Sequence, residues 1–492
     1  PELRDSMLQD VEIHSGCRIV SVHLLRNVRI LEGVRIENCG RITYNPDSMS
    51  GLGVELELGV ETGERNVRSF PFLDPDLSRE LSGGDKQMEN LAEYHLYLDK
   101  FLKKQRSRMV GIIESGSRIL DTPVVEDCFV GANVSITNAC AVRNTTLLGG
   151  ENDASTVSDG ALVRDSILKW NSVVDSMAIV ERSIVGEAST VEKHGKLTTS
   201  YLGPNSVLAG GEISSTLAGP FTAAHHQSLL IAARWPEGKG NIGYGANVGS
   251  NHTSRLPDQE IRPGEGMFFG LSCSVKFPAD FSRAPFSIIA TGITTLPQRV
   301  EFPFSLICKP FMRDNGIPPA FNQIIPAWVL SENLFAVYRN EEKYSLRNRA
   351  KHWTGNTDVF RPDIIDMMID AEERLSGING GELYTEKDIP GLGKNFLTEE
   401  HRKKALETYR FHILYYALSG LRKESDSDLI PVFKRNILAR ELPEKTMDEM
   451  LVVLAHMQDK VNEAIRTSSE KDLLRGSRII DDYAAVRKQS GR

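Results

Sequence analysis

Residues 27–44 divide into three hexads, NVRILE, GVRIEN and CGRITY, and this repeat limits the available folds more than any other feature of the chain. Val28 and Val34 share one position of the hexad, with Gly40 next, and Ile30, Ile36 and Ile42 share another. Residues 10–21 supply DVEIHS and GCRIVS in the same phase. Further on, Val130, Ile136, Val142 and Leu148 lie six apart, with Val134, Cys140 and Thr146 four residues behind the first three. A helix of 3.6 residues per turn would scatter these side chains around its surface. A strand of period two that turns a corner every sixth residue carries them all inward.

A longer period overlies the hexads. Ser166-Ile167-Leu168, Ser183-Ile184-Val185-Gly186, Ser200-Tyr201-Leu202-Gly203 and Ser215-Thr216-Leu217-Ala218-Gly219 recur. Ile167, Ile184 and Tyr201 are spaced by 17 residues, and Pro285-Phe286-Ser287 precedes Pro303-Phe304-Ser305 by 18. Three hexads make one turn of a three-sided parallel β-helix. Its corners take small or left-handed residues, a role open to Gly131, Gly160, Gly186, Gly203 and Asn205.

Two stretches break the repeat. Residues 86–109 place Met88, Leu91, Tyr94, Tyr97, Leu98 and Phe101 on about one face, the pattern of an amphipathic helix. After about Pro326 the hexads cease. A helix is expected over 360–375, and another from the Thr398 cap to Ser419, stopped by Gly420. A third opens at the capping box Thr446-Met447-Asp448-Glu449, with Met447, Met450, Leu451, Leu454, Met457, Val461 and Ile465 inward. The expected organisation is an N-terminal β-helical segment over 1–85, an inserted helix over 86–110, the main β-helix over 111–325 and a helical region over 326–492.

Charge and cysteine usage bound the function. A net charge of −8 argues against nucleic acid as partner. No apolar run reaches 18 residues, so no membrane span is expected. Six dispersed cysteines without a CxxC fit reduced thiols in a cytoplasmic protein rather than zinc or a disulfide framework. The chain begins Pro1-Glu2-Leu3, without Met.

The Ser-x-[Ile/Leu/Val]-Gly turns, with Val130-Gly131-Ala132-Asn133-Val134 and Leu202-Gly203-Pro204-Asn205-Ser206-Val207, resemble left-handed β-helix proteins of the hexapeptide-repeat class. That class includes trimeric acyltransferases and the C-terminal domains of sugar-phosphate nucleotidyltransferases. More closely, Ala218-Gly219-Pro220-Phe221-Thr222, His225-His226, Ser228–Ala232 and Ser250-Asn251-His252 resemble the bacterial domain-of-unknown-function family numbered 4954. The resemblance extends to the interrupting helix and to the tail Gly476–Tyr483. It implies a mainly β, left-handed parallel β-helix interrupted by one helix, with an α-helical C-terminal region. It carries no established activity. Members of that family have an additional N-terminal segment, which implies that a piece preceding this sequence belongs to the whole protein.

Three of the eleven histidines fall between 225 and 252. A neutral imidazole takes a proton from a hydroxyl or amine, so His225, His226 and His252 are the candidate catalytic groups. Adjacent on a strand, His225 and His226 would point to opposite faces. Asn247 or Asn251 would orient a ring or donate to an oxyanion, Ser250 lies beside them, and Arg234 and Lys239 would hold phosphates. The alternative is that the paired histidines are structural, hydrogen-bonding at a corner. Without carboxylate or cysteine partners, no metal site is expected. The resembling acyltransferases use one histidine in a groove between subunits. The resemblance therefore implies a homo-oligomer, a trimer first, acting on a small molecule with acyl-CoA or a nucleotide sugar. The competing function is a non-catalytic β-helix that binds a sugar nucleotide or scaffolds a partner in a nucleotidyltransferase pathway. Val207-Leu208-Ala209-Gly210-Gly211 imitates a nucleotidyltransferase opening, but it lies in phase with the hexads and reads as a rung. Gly264-Glu265-Gly266 lacks a dinucleotide loop's context. The basic group Arg339, Lys343, Arg347, Arg349 and Lys351 reads as a solvated face or a phosphate contact.

Overall fold

A computed structural model describes residues 1–61, 66–106, 109–249, 260–311, 316–423, 432, 435–480 and 482. They form two compact units. The first holds Pro1–Asp280, Thr291–Pro297 and Asn348–Gly355, the second Phe281–Ala290, Gln298–Arg347 and Asn356–Arg492.

The first unit is a β-helix in which each short strand pairs in parallel with the strand three further along, so every coil has three sides. The register stacks like on like. Ile36 lies on Ile119, Ile119 on Ile136, Ile136 on Val157, and the column continues through Val174, Val191, Leu208, Ala224 and Ile242. All nine are at most 1% exposed. Two inward expectations fail. Cys140 is exposed while Ala139 takes the interior, and Leu147 rather than Leu148 is fully buried. The coil from Val130 to Leu147 is 17 residues long, one short of three hexads, so its frame shifts, and a shift of one residue exchanges the two faces of a strand.

The recurring serines have a specific duty. Ser166 Oγ accepts from Ser183 N–H at 3.1 Å, Ser183 Oγ from Ser200 N–H at 3.1 Å, and Ser200 Oγ from Thr216 N–H at 3.0 Å. Each hydroxyl in turn donates to the carbonyl two residues before it. The ladder satisfies buried amide groups at a corner where strand pairing is interrupted. Gly160 and Asn205 adopt positive φ, as the corners require. Gly186 and Gly203 do not. They are glycine because a Cβ would come within 2.5 Å of the backbone of the next coil.

Strands on either side of residues 44–110 pair directly, Val28 with Gly111, Ile36 with Ile119 and Ile42 with Val125. The intervening segment therefore loops out and returns. It carries α1 (Pro75–Leu81), capped by Asp74, and α2 (Gln87–Arg106). It lies on the side of the β-helix formed by Thr146–Leu147, Ile167–Leu168, Ile184–Val185, Tyr201–Leu202, Leu217–Ala218 and Arg234–Trp235. Leu56, Leu58, Phe70, Leu73, Leu91 and Leu98 pack over the outward-facing Ile167, Ile184, Tyr201 and Leu217. Those four are 0% exposed, each apolar side chain contributing about 2 kcal/mol by burial. Of the predicted α2 face, Leu91, Tyr94 and Leu98 are buried, whereas Met88 and Tyr97 are exposed.

The second unit contains the parallel rungs Ile288–Ile289 and Leu306–Cys308, followed by Asn322–Ile325, which pairs antiparallel with the latter. Its helices are α3 (Trp328–Glu332), α4 (Leu334–Arg347), α5 (Pro362–Ser376), α6 (Glu399–Lys423), α7 (Ile437–Glu441) and α8 (Met447–Ser477). The capping box at Thr446 forms as expected. Helix α6 runs through Gly420 instead of stopping there. The local cost of a helical glycine, about 1 kcal/mol, is outweighed by packing of Leu418 against Leu442, Leu454 and Met457. On α8, Leu454, Met457 and Val461 are buried, but Met447 and Leu451 face solvent at its first turns. No helix among the described residues is long and apolar enough to cross a membrane.

Candidate functional site

Of the candidate site residues, those described are distributed over all three sides of the first unit. Ala224 is the inward residue of the strand Ala223–His225, so His225 faces outward and is half-buried. His226 follows at a left-handed corner, φ 50°, and is exposed. The corner redirects the chain, so neither ring enters the interior and the two lie 6.0 Å apart between centroids. Asn247 begins a strand on the next side, beside Leu229 and Ser274. Arg234 lies on the third side, donating to Arg79 carbonyl oxygen at 2.7 Å and Ser82 Oγ at 3.2 Å, where it closes the C-terminal end of α1. Lys239 is buried in an ion pair with Glu265 at 2.7 Å. Ser250, Asn251 and His252 lie outside the described residues.

A different constellation gathers at the corner that follows the side covered by the insertion. Its successive turns are Lys169-Trp170-Asn171, Gly186-Glu187-Ala188, Gly203-Pro204-Asn205 and Gly219-Pro220-Phe221. The segment Asn348–Gly355 lies along this corner. Asn205 donates to Asn348 Oδ1 at 2.8 Å and accepts from Arg349 N–H at 2.9 Å. Trp353 meets Phe221 edge-on at 5.6 Å.

Glu187 organises the middle of this contact. Its side chain is 4% exposed, and its oxygens accept from the backbone N–H of Lys351 at 2.6 Å and of His352 at 2.9 Å. The same carboxylate lies 3.1 Å from His352 Nδ1. A carboxylate accepts, so in the neutral imidazole the proton sits on Nδ1 and the lone pair on Nε2. The imidazole stacks on Trp170 at 4.2 Å and 27°, which fixes the ring plane. Lys351 Nζ reaches Asp153 at 3.0 Å.

Beneath the corner sits a buried amine. Lys169 Nζ donates to Leu73 carbonyl oxygen at 2.5 Å and lies 5.7 Å from the centre of the Tyr201 ring. Burial pushes its ammonium down to about 8, partly countered by Asp74 and Glu187. The Tyr201 hydroxyl is buried without a hydrogen-bond partner among the described residues, and burial raises its pKa well above the usual range.

An apolar cavity of about 280 Å³ opens nearby between the insertion and the β-helix, with Tyr44, Met49, Phe72, Phe101, Ile112 and Leu148 among its walls. Phe72 joins the two features. It lines the cavity, is 63% exposed, and its ring lies 6.4 Å from Trp170.

Sequence reasoning missed His352, Glu187 and Trp170. The signals were small. Glu187 puts a carboxylate where the next two turns hold proline, and Lys351-His352-Trp353 ends a basic run that reads as a solvated face.

The model of a family described as a domain of unknown function (DUF4954) matches residues 1–348. An uncharacterised protein of Treponema pallidum (strain Nichols) is 27% identical over 288 residues, which span 57% of this chain but 39% of that protein. A solved structure from Desulfovibrio desulfuricans G20, provisionally named an acetyltransferase, aligns over 61% of this chain and 67% of its own. Its identity is 10% and its TM-score 0.12, too low to support any inference.

Proposed function

The chain belongs to the family described as a domain of unknown function (DUF4954), and from the geometry of its His352 corner we propose that it is an acyl-transferring β-helix whose general base is His352. The observation that carries this reading is the buried Glu187 carboxylate. It holds both the ring and the backbone of His352, leaving Nε2 as acceptor at an exposed corner. In the proposed reaction, Nε2 takes the proton from an acceptor hydroxyl or amine as that atom attacks the carbonyl carbon of an acyl thioester. The tetrahedral intermediate collapses with cleavage of the carbon–sulfur bond, and the thiolate leaves with the proton from His352. The acceptor is acylated and a free thiol is released.

The test is thiol release from acetyl-CoA in the presence of a panel of hydroxyl and amine acceptors, by wild type, His352→Ala and Glu187→Gln, with melting temperatures measured in parallel. Loss of the base is expected to lower turnover roughly 10²- to 10⁴-fold. Glu187→Gln is expected to lower it less. Turnover unchanged in His352→Ala refutes the assignment, and loss on His226→Ala alone transfers the site to the 225–226 corner. Stabilisation by UDP-, GDP- or ADP-sugars without any turnover selects the non-catalytic reading.

Self-association belongs to the same proposal. The side carrying Val173, Val207 and Ala223 outward presents small half-buried residues and ends at His225. The adjacent side is a ladder of charges, Arg143 on Glu126, Arg164 on Glu181 and Lys196 on Glu212. The first is the side suited to a second copy.

A further inference from the structure

We infer that the cavity beneath α2 binds an unbranched aliphatic chain and, resting on the transfer reading above, that this chain is the acyl group of the donor. Three observations carry the inference. Among the described residues the cavity lining contains no Asp, Glu, Lys, Arg or His. Three of its polar residues use their donors within the protein, Tyr44 on Ser48 carbonyl at 3.1 Å, Thr146 on Ser50 carbonyl at 2.7 Å, and the Cys128 thiol on Glu126 carbonyl at 3.1 Å, which leaves Ser48, Ser50 and Gln105 as the other polar groups of the wall. Water held there would find few partners, and an apolar ligand displaces such water favourably.

The second observation is size. At about 280 Å³ the cavity is larger than the ~150 Å³ apolar cavity that holds benzene, and it has room for a chain of roughly eight to ten carbons.

The third is continuity with the base. Phe70 packs edge-on against Phe101 at 5.0 Å and against Phe72 at 5.4 Å. Phe72 then approaches Trp170, on which His352 stacks. A run of aromatic rings thus extends from the cavity wall to the imidazole. A chain seated in the cavity would have its carbonyl end leave along Phe72 toward Trp170. Phe72 is 63% exposed at this place, an apolar ring with solvent where such a chain would lie.

Binding and transfer are separated by the experiment. Isothermal titration of the full chain with n-decanol tests the cavity alone. Saturable one-to-one binding is expected in wild type and in His352→Ala. At least a tenfold loss of affinity is expected in Ile112→Trp and in Met49→Trp, which fill the cavity from the β-helix and from the loop. Met49 lies outside the strands, so that variant remains informative if Ile112→Trp fails to fold. No binding to wild type, or equal binding to both filled variants, overturns the inference. Turnover of octanoyl and acetyl thioesters then tests the donor assignment. Preference for octanoyl that is lost in Met49→Trp supports it. Preference for acetyl despite decanol binding overturns it. Decanol binding intact with thioester turnover unaffected by His352→Ala leaves the cavity standing and refutes the transfer reading alone.

Discussion

Lys169 holds a positive charge where the insertion leaves it almost no water. Its folded-state pKa, about 8, lies below the ordinary 10.5. Between those values the unfolded chain binds the proton more tightly, so stability rises as pH climbs through the window and is lost as pH falls toward 8. The expected contribution is about 3 kcal/mol across the window. Chemical denaturation at several pH values from 7.5 to about 10.5, for wild type and Lys169→Met, checks it. Their difference in stability should change over this range, and a constant difference removes the assignment. Nothing in the sequence marks this lysine. It stands at a corner like any exposed one and becomes buried because a segment nearly a hundred residues away packs over it.

A rung is a local object, and its rules are readable in the hexads. Ile136 is 0% exposed, between Ile119 and Val157. Ile136→Asp should cost at least several kcal/mol, by cavity formation and by burial of a carboxylate without a partner. A denaturation midpoint equal to that of wild type would mean that the column is not the core. The helices were legible to a lesser degree. Thr446 and Glu449 announce the start of α8, because a capping box needs only residues three apart. Gly420 does not announce the end of α6, because whether a glycine stops a helix depends on what packs beyond it. Cys140 and Leu148 slipped for a similar reason. Inward and outward alternate strictly within a strand but are reset at every corner, and corner length varies.

For the whole molecule, the sides of the β-helix have different fates. One is covered by residues 44–110, one carries a charge ladder, and one presents small residues. Light scattering at a multiple of 54.7 kDa is expected, with a shift toward the monomer on Val207→Lys. A monomer mass for wild type refutes self-association. Variants at His225 that change the mass but not thioester turnover would assign that residue to the interface.

Repeats encode what neighbours in the stack require. Every coil meets an almost identical coil, so the interior column, the serine ladder and the glycines under close backbone contact leave a periodic trace. Three-sided coils and parallel pairing follow from that trace without any knowledge of distant contacts. Residues 86–109 likewise show their helix by a local apolar face. The destination of that helix has no periodic trace. Ile167, Ile184, Tyr201 and Leu217 point outward by their register, yet they are buried because the insertion folds back on them. The same holds for the Glu187–His352 pair, 165 residues apart and joined only when Asn348–Gly355 returns to the β-helix. Periodicity reports contacts repeated from coil to coil, whereas a single long-range contact between unlike segments is settled by packing alone.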